Sequence, residues 1–327
     1  MIKVGVILAK DNIVEQIEVR AAYCSAIIEM IENGEPVIAM DADLMRPIGL
    51  LPYRNKYPNN IIECGVSEAN MFGMAAGLSA EGYIPFPHTF GVFASRRACD
   101  QIYLSGAYAK QNIKVVGSDP GAAAGLNGGT HAALEDIAIM RAIPGMTIVE
   151  PSDSTMAREV TFMAARTYGM FYIRLFRTNA VKIYEEGSKF EFGKAVMLRD
   201  GQDVTLIASG MEVAEALKAA EILEQDGISA RVLDMFTIKP LDVEAVIKAA
   251  IETGAIVTCE NHSITGGLGS AVSEAVVENC PVPVGRVGVL DRFGEVGPTE
   301  WLIKKYKISA SDIAEKAKSV IMQKIRG

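Results

Sequence analysis

The sequence predicts an α/β protein of two domains, each a mostly parallel sheet flanked by helices. Three observations carry that reading. Short apolar runs alternate with helical patterns along the chain, one charged and turn-rich segment interrupts the alternation, and 327 residues exceed what one ordinary core holds.

The elements follow in order. From Val19 to Met30 the apolar positions Val19, Ala22, Tyr23, Ala26, Ile27 and Met30 fall at helical spacing, and Asn33-Gly34 supplies the stop. Pro36–Met40 is a short buried strand running into the polar turn Asp41–Leu44. Asn60–Cys64 is a second strand, after which the turn Gly65–Ser67 opens a helix to about Ser79, stopped near Gly82. Gly82–Phe86, Lys114–Ser118 and Met146–Glu150 read as further strands, and Met170–Leu175 closes the first block. Thr178–Gly193 breaks the rhythm with charged and turn residues. Residues 1–185 are therefore assigned to the first domain, 186–193 to a linker and 194–327 to the second domain. There the alternation restarts with the strand Val204–Ser209, the helix Met211–Gln225 ended by Gly227, and the strand Ala230–Met235. A turn at Pro240, a helix from about Asp242, the strand Ala255–Cys259 and the glycine turn Gly266–Gly269 before another helix complete it.

Composition excludes several classes of function. Lys plus Arg number 32 and Asp plus Glu 40, so the formal charge is 32 − 40 = −8. That balance argues against broad nucleic-acid binding, which needs a basic face. No apolar run approaches the ~20 residues of a membrane span. The first residues lack an apolar signal core with a cleavage site, so the chain is expected in the cytoplasm. Five cysteines, odd in number and without a CxxC pair, suit core positions in a reducing compartment. The three histidines His88, His131 and His262 stand at no ligand spacing, so no metal site is expected within this chain.

Parallel α/β sheets bind ligands beyond the carboxyl ends of their strands. That rule selects the turns Asp41–Arg46, Gly65–Glu68, Pro87–Phe93, Ser118–His131 and Arg174–Arg177. Taken alone, Glu68 reads as a carboxylate favoured by the helix dipole; the alternative is an acid held in the crevice by a rigid element. Ser118–His131 holds four glycines and three alanines, which suits either a flexible loop or close backbone approach to a ligand or another chain. Phe90 and Phe93 fit a core, and Arg20, Arg174 and Arg177 fit a charged surface. Neither GxGxxG nor GxxxxGK[ST] occurs. The residues alone reach a cytosolic two-domain α/β enzyme.

Longer stretches add a resemblance. Ala42–Leu44 (ADL), Gly65–Ser79 (GVSEANMFGMAAGLS), Thr89–Phe93 (TFGVF), Gly128–Asp153 (GGTHAALEDIAIMRAIPGMTIVEPSD), Leu233–Asp242 (LDMFTIKPLD) and Glu260–Gly269 (ENHSITGGLG) together resemble the transketolase family. The first domain is similar to that family's pyrimidine-binding thiamine diphosphate domain, the second to its C-terminal domain. Full-length members are about twice as long and carry a Gly-Asp-Gly, followed by Asn, that holds Mg²⁺ and the cofactor diphosphate. No Gly-Asp-Gly occurs here. The resemblance therefore implies the C-terminal subunit of a split transketolase, with Mg²⁺ held mainly by a separate N-terminal subunit and self-association to a heterotetramer.

The resemblance also implies roles. Glu68 falls on the catalytic glutamate that hydrogen-bonds the cofactor pyrimidine and favours the tautomer able to take the thiazolium proton. Phe90 and Phe93 fall on the aromatic positions that pack on the pyrimidine, with Arg96 where a third aromatic commonly follows. Asp43 matches the acidic residue of the Ala-Asp-Leu turn near the cofactor. Arg20 and Arg177 match the arginines that grip a substrate phosphate, and His131 a catalytic histidine near the reacting end of the sugar. The sugar-reading positions depart from the pattern: Pro47 replaces a serine, Asp119 a histidine, Asn127 an aspartate and Ala132 a glutamine. The implied activity is transfer of a two-carbon ketol unit from an anionic, sugar phosphate-like ketose to an aldehyde, with substrates other than the ordinary pentose phosphates. Two alternatives stand beside it: the β-subunit of a 2-oxo acid dehydrogenase decarboxylating component, and a non-catalytic subunit that completes an oligomer.

Overall fold

A computed structural model describes residues 5–11 and 13–324. The first half runs β1 (Val14–Glu18), α1 (Val19–Glu32), β2 (Val37–Asp41), α2 (Met45–Ile48), β3 (Ile61–Glu63), α3 (Glu68–Ala80) and β4 (Ile84–Phe90). It continues with a helical stretch from Phe93 to Tyr108, in which π-helical turns flank the short α4 (Cys99–Gln101). Then come β5 (Lys114–Ser118), α5 (Asp136–Arg141), β6 (Thr147–Val149), α6 (Ser154–Arg166), β7 (Phe171–Leu175) and β8 (Asn179–Val181). The second half runs β9 (Val196–Arg199), β10 (Val204–Ala208), α7 (Glu212–Gln225), β11 (Ala230–Asp234), β12 (Thr237–Lys239) and α8 (Val243–Thr253). It ends with β13 (Ile256–Ser263), α9 (Leu268–Asn279), β14 (Val284–Val289), α10 (Thr299–Tyr306) and α11 (Ala310–Lys324).

Two large sheets result. The first has the order β12-β6-β7-β5-β4-β2-β3 and the second β14-β13-β10-β11-β9. All pairings are parallel except those of the edge strands β12 and β9. Every residue of β2, β5, β7, β10 and β11 is buried, as strands covered on both faces must be. The helix expected from Val19 forms α1; its six periodic apolar side chains are buried and it packs on α6. It stops at Asn33, with Gly34 at φ 75°. The expected α/β organisation is observed.

The two sheets are closely joined. β12 comes from the second half of the chain yet forms an edge of the first sheet. Within Thr178–Gly193, β8 pairs with β1 and Phe190 and Phe192 pack against Phe236. The Ile183 and Tyr184 amides donate to the buried carboxylate of Asp153, which also caps α6 through the Met156 amide. This segment is a strap bonded to both halves, not a free spacer.

Candidate active site

Four parallel pairings bring the site residues to one edge. Along β7-β5-β4-β2-β3 the carboxyl ends are in register: Leu175 beside Ser118, Ser118 beside Phe90, His88 beside Asp41, Asp41 beside Glu63. The residues that leave this edge are, in the same lateral order, Arg177, Asp119, Phe90 with Phe93, Asp43 and Glu68. Four inter-strand steps of ~4.8 Å separate the two ends by ~19 Å. An acid therefore stands at one end, a cation at the other, and aromatic rings between.

At the acid end Glu68 is the first residue of α3 and is 2% exposed. Both carboxylate oxygens accept from Nη1 of Arg97, at 2.8 and 2.9 Å. The half-exposed Arg97 guanidinium lies over the Phe93 ring, 4.4 Å from its centroid. Phe90 and Phe93 are 6.2 Å apart and inclined by 31°, and His131 meets both edge-on at 5.8 and 5.4 Å. Leu44, from the Ala-Asp-Leu turn, packs on the same cluster.

Asp43 itself is exposed at φ 63°, its amide donating to Glu63 Oε1 at 2.8 Å. The turn that carries it is fixed from below. Asp41 accepts from the Leu44 amide with one oxygen and meets His88 Nδ1 at 2.6 Å with the other. His88 Nε2 meets Ser118 Oγ at 2.9 Å. These three buried side chains tie the turn after β2 to the turn after β5, where Asp119 sits.

At the cation end Asp119 is wholly buried at φ 54°. Its Oδ1 is 3.2 Å from Arg177 Nε, and its Oδ2 accepts from Asn127 Nδ2 at 3.3 Å. Burial pushes its pKa up to about 6, against the pull of Arg177, His88 and Arg20. Arg20, on α1, pairs through Nε with Glu18 at 2.7 Å and donates through Nη1 to the Pro47 carbonyl. Both arginines thus already hold carboxylates of their own chain.

The glycine-rich segment is explained by close approach, but to this chain's own second half. A Cβ on Gly129 would stand 1.8 Å from the Gly294 carbonyl oxygen, and one on Gly121 2.2 Å from Asn261 Oδ1. Asn261 accepts from the Ala122 amide and donates to the Pro120 carbonyl, seating the loop on β13. Arg174 departs from the surface position expected of it. It is fully buried, paired with Asp136 at 2.8 Å and with Glu150, and donates to the Asn261 carbonyl. Nearby, burial lifts Glu260 to about 8 although two α9 amides pull it down, and lowers His262 to about 4. This cluster joins the sheets. Arg97 and the Asp41–His88–Ser118 chain escaped the sequence reading. Their signals were slight: an arginine one helical turn past Phe93, and a histidine two residues before Phe90.

Family models match both halves: "Transketolase, pyrimidine binding domain" over residues 15–182 and "Transketolase, C-terminal domain" over residues 193–313. The chain is 51% identical, over 93% of its length and 95% of the relative's, to the 6-deoxy-6-sulfo-D-fructose transketolase subunit of a Clostridium species. It is 36% identical to one subunit of the apulose-4-phosphate transketolase of Phocaeicola vulgatus, over 91% of this chain and 96% of that one. Human transketolase is 36% identical over 94% of this chain, which spans only 49% of that protein. A solved structure described as a split gene transketolase, inactive beta4 tetramer, superposes with a TM-score of 0.88 at 39% identity, covering 94% of this chain and 99% of the other. With both halves matched and relatives of equal length, the chain belongs to the transketolase family.

Proposed function

We propose that this chain is the C-terminal subunit of a thiamine diphosphate-dependent transketolase, active with a separate N-terminal subunit and moving a two-carbon ketol unit from an anionic ketose to an aldehyde. One observation carries the reading: the ordered edge that runs from Glu68 through Phe90 and Phe93 to Arg177, with Arg20 of α1 close enough to act on Asp119. A flat heterocycle with ring nitrogens requires an aromatic wall and a carboxyl group beside it. The inclined Phe90–Phe93 pair, with Glu68 joined to Phe93 through Arg97, fits that requirement. Glu68, Phe90 and Phe93 would hold the pyrimidine, with Asp43 on the adjoining turn. When bound, the cofactor supplies the carbon nucleophile that carries the two-carbon unit. His131, set against both phenylalanines, would face the reacting end of the sugar and Asn127 its middle, with Asp119 between Asn127 and the arginine at the anionic end. Arg20 and Arg177 would hold its anionic end.

The diphosphate and Mg²⁺ are assigned to the N-terminal subunit, since this sequence has no Gly-Asp-Gly. Exposed apolar side chains near the edge, Val66, Leu126 and Phe293, suit a covering chain. The relative that acts on a sulfosugar makes a sulfonated ketose a leading substrate candidate. The test is to copurify the chain with its N-terminal partner, add thiamine diphosphate and Mg²⁺, and screen sulfonated and phosphorylated ketoses in a coupled assay. Ketol transfer by the complex and none by the chain alone is the expected result. A complex that transfers no ketol unit, or turnover by the chain alone, sinks the reading.

A further inference from the structure

Charge bookkeeping at the cation end leads beyond the general reading. Two guanidiniums, Arg20 and Arg177, face two carboxylates, Glu18 and Asp119, so the local sum is zero before any ligand arrives. The two carboxylates differ. Glu18 is 39% exposed, so water screens its charge. Asp119 is fully buried, directly beside the end of β5, on a backbone held at φ 54° and linked to the chain Ser118–His88–Asp41. It cannot leave. An anion arriving at Arg177 therefore meets a fixed negative charge on the same guanidinium, and a doubly charged head group is repelled about twice as strongly as a singly charged one.

We propose that Asp119 is a charge filter, shifting the selectivity of the anion end of the site away from a doubly charged phosphate monoester and toward a singly charged sulfonate. The assignment rests on the transketolase reading for its substrate and names the class of that substrate's end group. Specificity of this kind comes from a repulsive element built against the wrong ligand. The charged groups facing Asp119 are Arg177 past β7, Arg20 on α1 and His88 on β4. Of the two carboxylates that pair with these arginines, Asp119 is the buried one.

The experiment uses the full-length chain and two probes without a ketose carbonyl, propane-1-sulfonate and propyl phosphate, titrated by calorimetry or NMR at pH 7.5. There the phosphate carries close to two charges. The wild-type chain should bind both probes, and the ratio of their affinities is the reference. D119N, which keeps the shape and removes the charge, should shift the ratio of affinities toward phosphate by roughly tenfold or more. A ratio that moves less than about twofold (a shift too small for a removed charge), or a wild-type chain that binds neither probe, overturns the proposal. A second measurement needs no variant. Sulfonate does not titrate between pH 5 and 7.5, so its affinity for the wild-type chain should rise as pH falls through about 6, where Asp119 takes up a proton. A flat profile overturns the filter. Because the probes cannot react, a missing ketol transfer with intact probe selectivity would count against the transferase reading and support this one.

Discussion

Replacing Glu68 by glutamine separates a catalytic role from a structural one, because the geometry assigns the two roles different magnitudes. The amide has the same shape and one oxygen that still accepts from Arg97. What is lost is the ion pair with Nη1 of Arg97, at 2.8 and 2.9 Å. Glu68 is buried but Arg97 is 49% exposed, so water already screens that pair. The loss is ~1 kcal/mol, at the low end for a hydrogen bond to a charged group. In a domain of this size that lowers Tm by roughly 2–4 °C. A positioned acid is worth ~10²–10⁴ in rate, or ~3–5 kcal/mol of transition-state stabilisation. The catalytic loss should exceed the stability loss by several fold. The assay is steady-state ketol transfer by the chain and its N-terminal partner, with a thermal scan of the same preparation. Turnover within about threefold of wild type (under ~1 kcal/mol), at matching Tm, would make Glu68 a helix-terminal carboxylate and nothing more. Equal losses in both measurements would point to a damaged fold.

Other perturbations test neighbouring parts. Arg177→Ala should raise KM for the anionic substrate by ~10–100-fold, the size of a lost charged hydrogen bond, with kcat nearly unchanged, because the group grips ground and transition states alike; an unaltered KM removes Arg177 from the site. Arg174→Met should cost ~3–5 kcal/mol in urea unfolding, since Asp136 and Glu150 would stay buried without their cation; a midpoint shift below ~0.5 kcal/mol would show the cluster relaxes freely. Asp234, wholly buried between Ser152 and Tyr184, is raised by that burial from 3.8 to about 7. The fold thus favours its protonated form, so its contribution is full below pH 3.8 and falls as pH rises through about 7. Asp234→Asn should flatten the stability profile between those limits, and an unchanged slope in denaturation at pH 5, 6 and 7 would refute it.

The first domain's strands and α1 were legible because each obeys one strong local rule. β2, β5 and β7 are each built on a short apolar run, Val37–Met40, Val115–Val116 and Phe171–Ile173, and α1 keeps its period for three turns. What escaped is what only tertiary pairing creates. β12 has three residues and becomes a strand because β6 leaves an edge free. Arg174 looked like any arginine near a turn, and its burial depends on Asp136 and Glu150, 38 and 24 residues away. The glycines of Ser118–His131 were recognised as a sign of close approach, but the approaching backbone, Gly294, lies 165 residues beyond Gly129 and no local pattern names it. Positions Glu68, Phe90, Phe93 and Arg177 came from resemblance to whole motifs, and their lateral order came only from strand pairing. Spacing along the chain does not reveal that order, since β3 and β7 are neither sequential nor adjacent.

The pairing order also bears on why such a chain would need a partner. The edge puts the strands that lead to Glu68 and Arg177 ~19 Å apart, a span that cofactor and sugar would bridge together on the proposed reading. The second half contributes the loop around Gly294, which braces the His131 loop through contacts too close for any side chain but glycine. It therefore steadies the His131 side of the site. Apolar side chains next to these segments in sequence are exposed: Val66 before Glu68, Leu126 before Asn127 and Phe293 before Gly294, at 70%, 78% and 94%. Burying all three would contribute ~5–9 kcal/mol before costs. Association itself costs ~4–15 kcal/mol, so these three alone would hold a partner weakly. A stable complex must then draw on surface beyond the site. The three side chains would serve to exclude water from the edge, and the tight binding would come from elsewhere on the molecule.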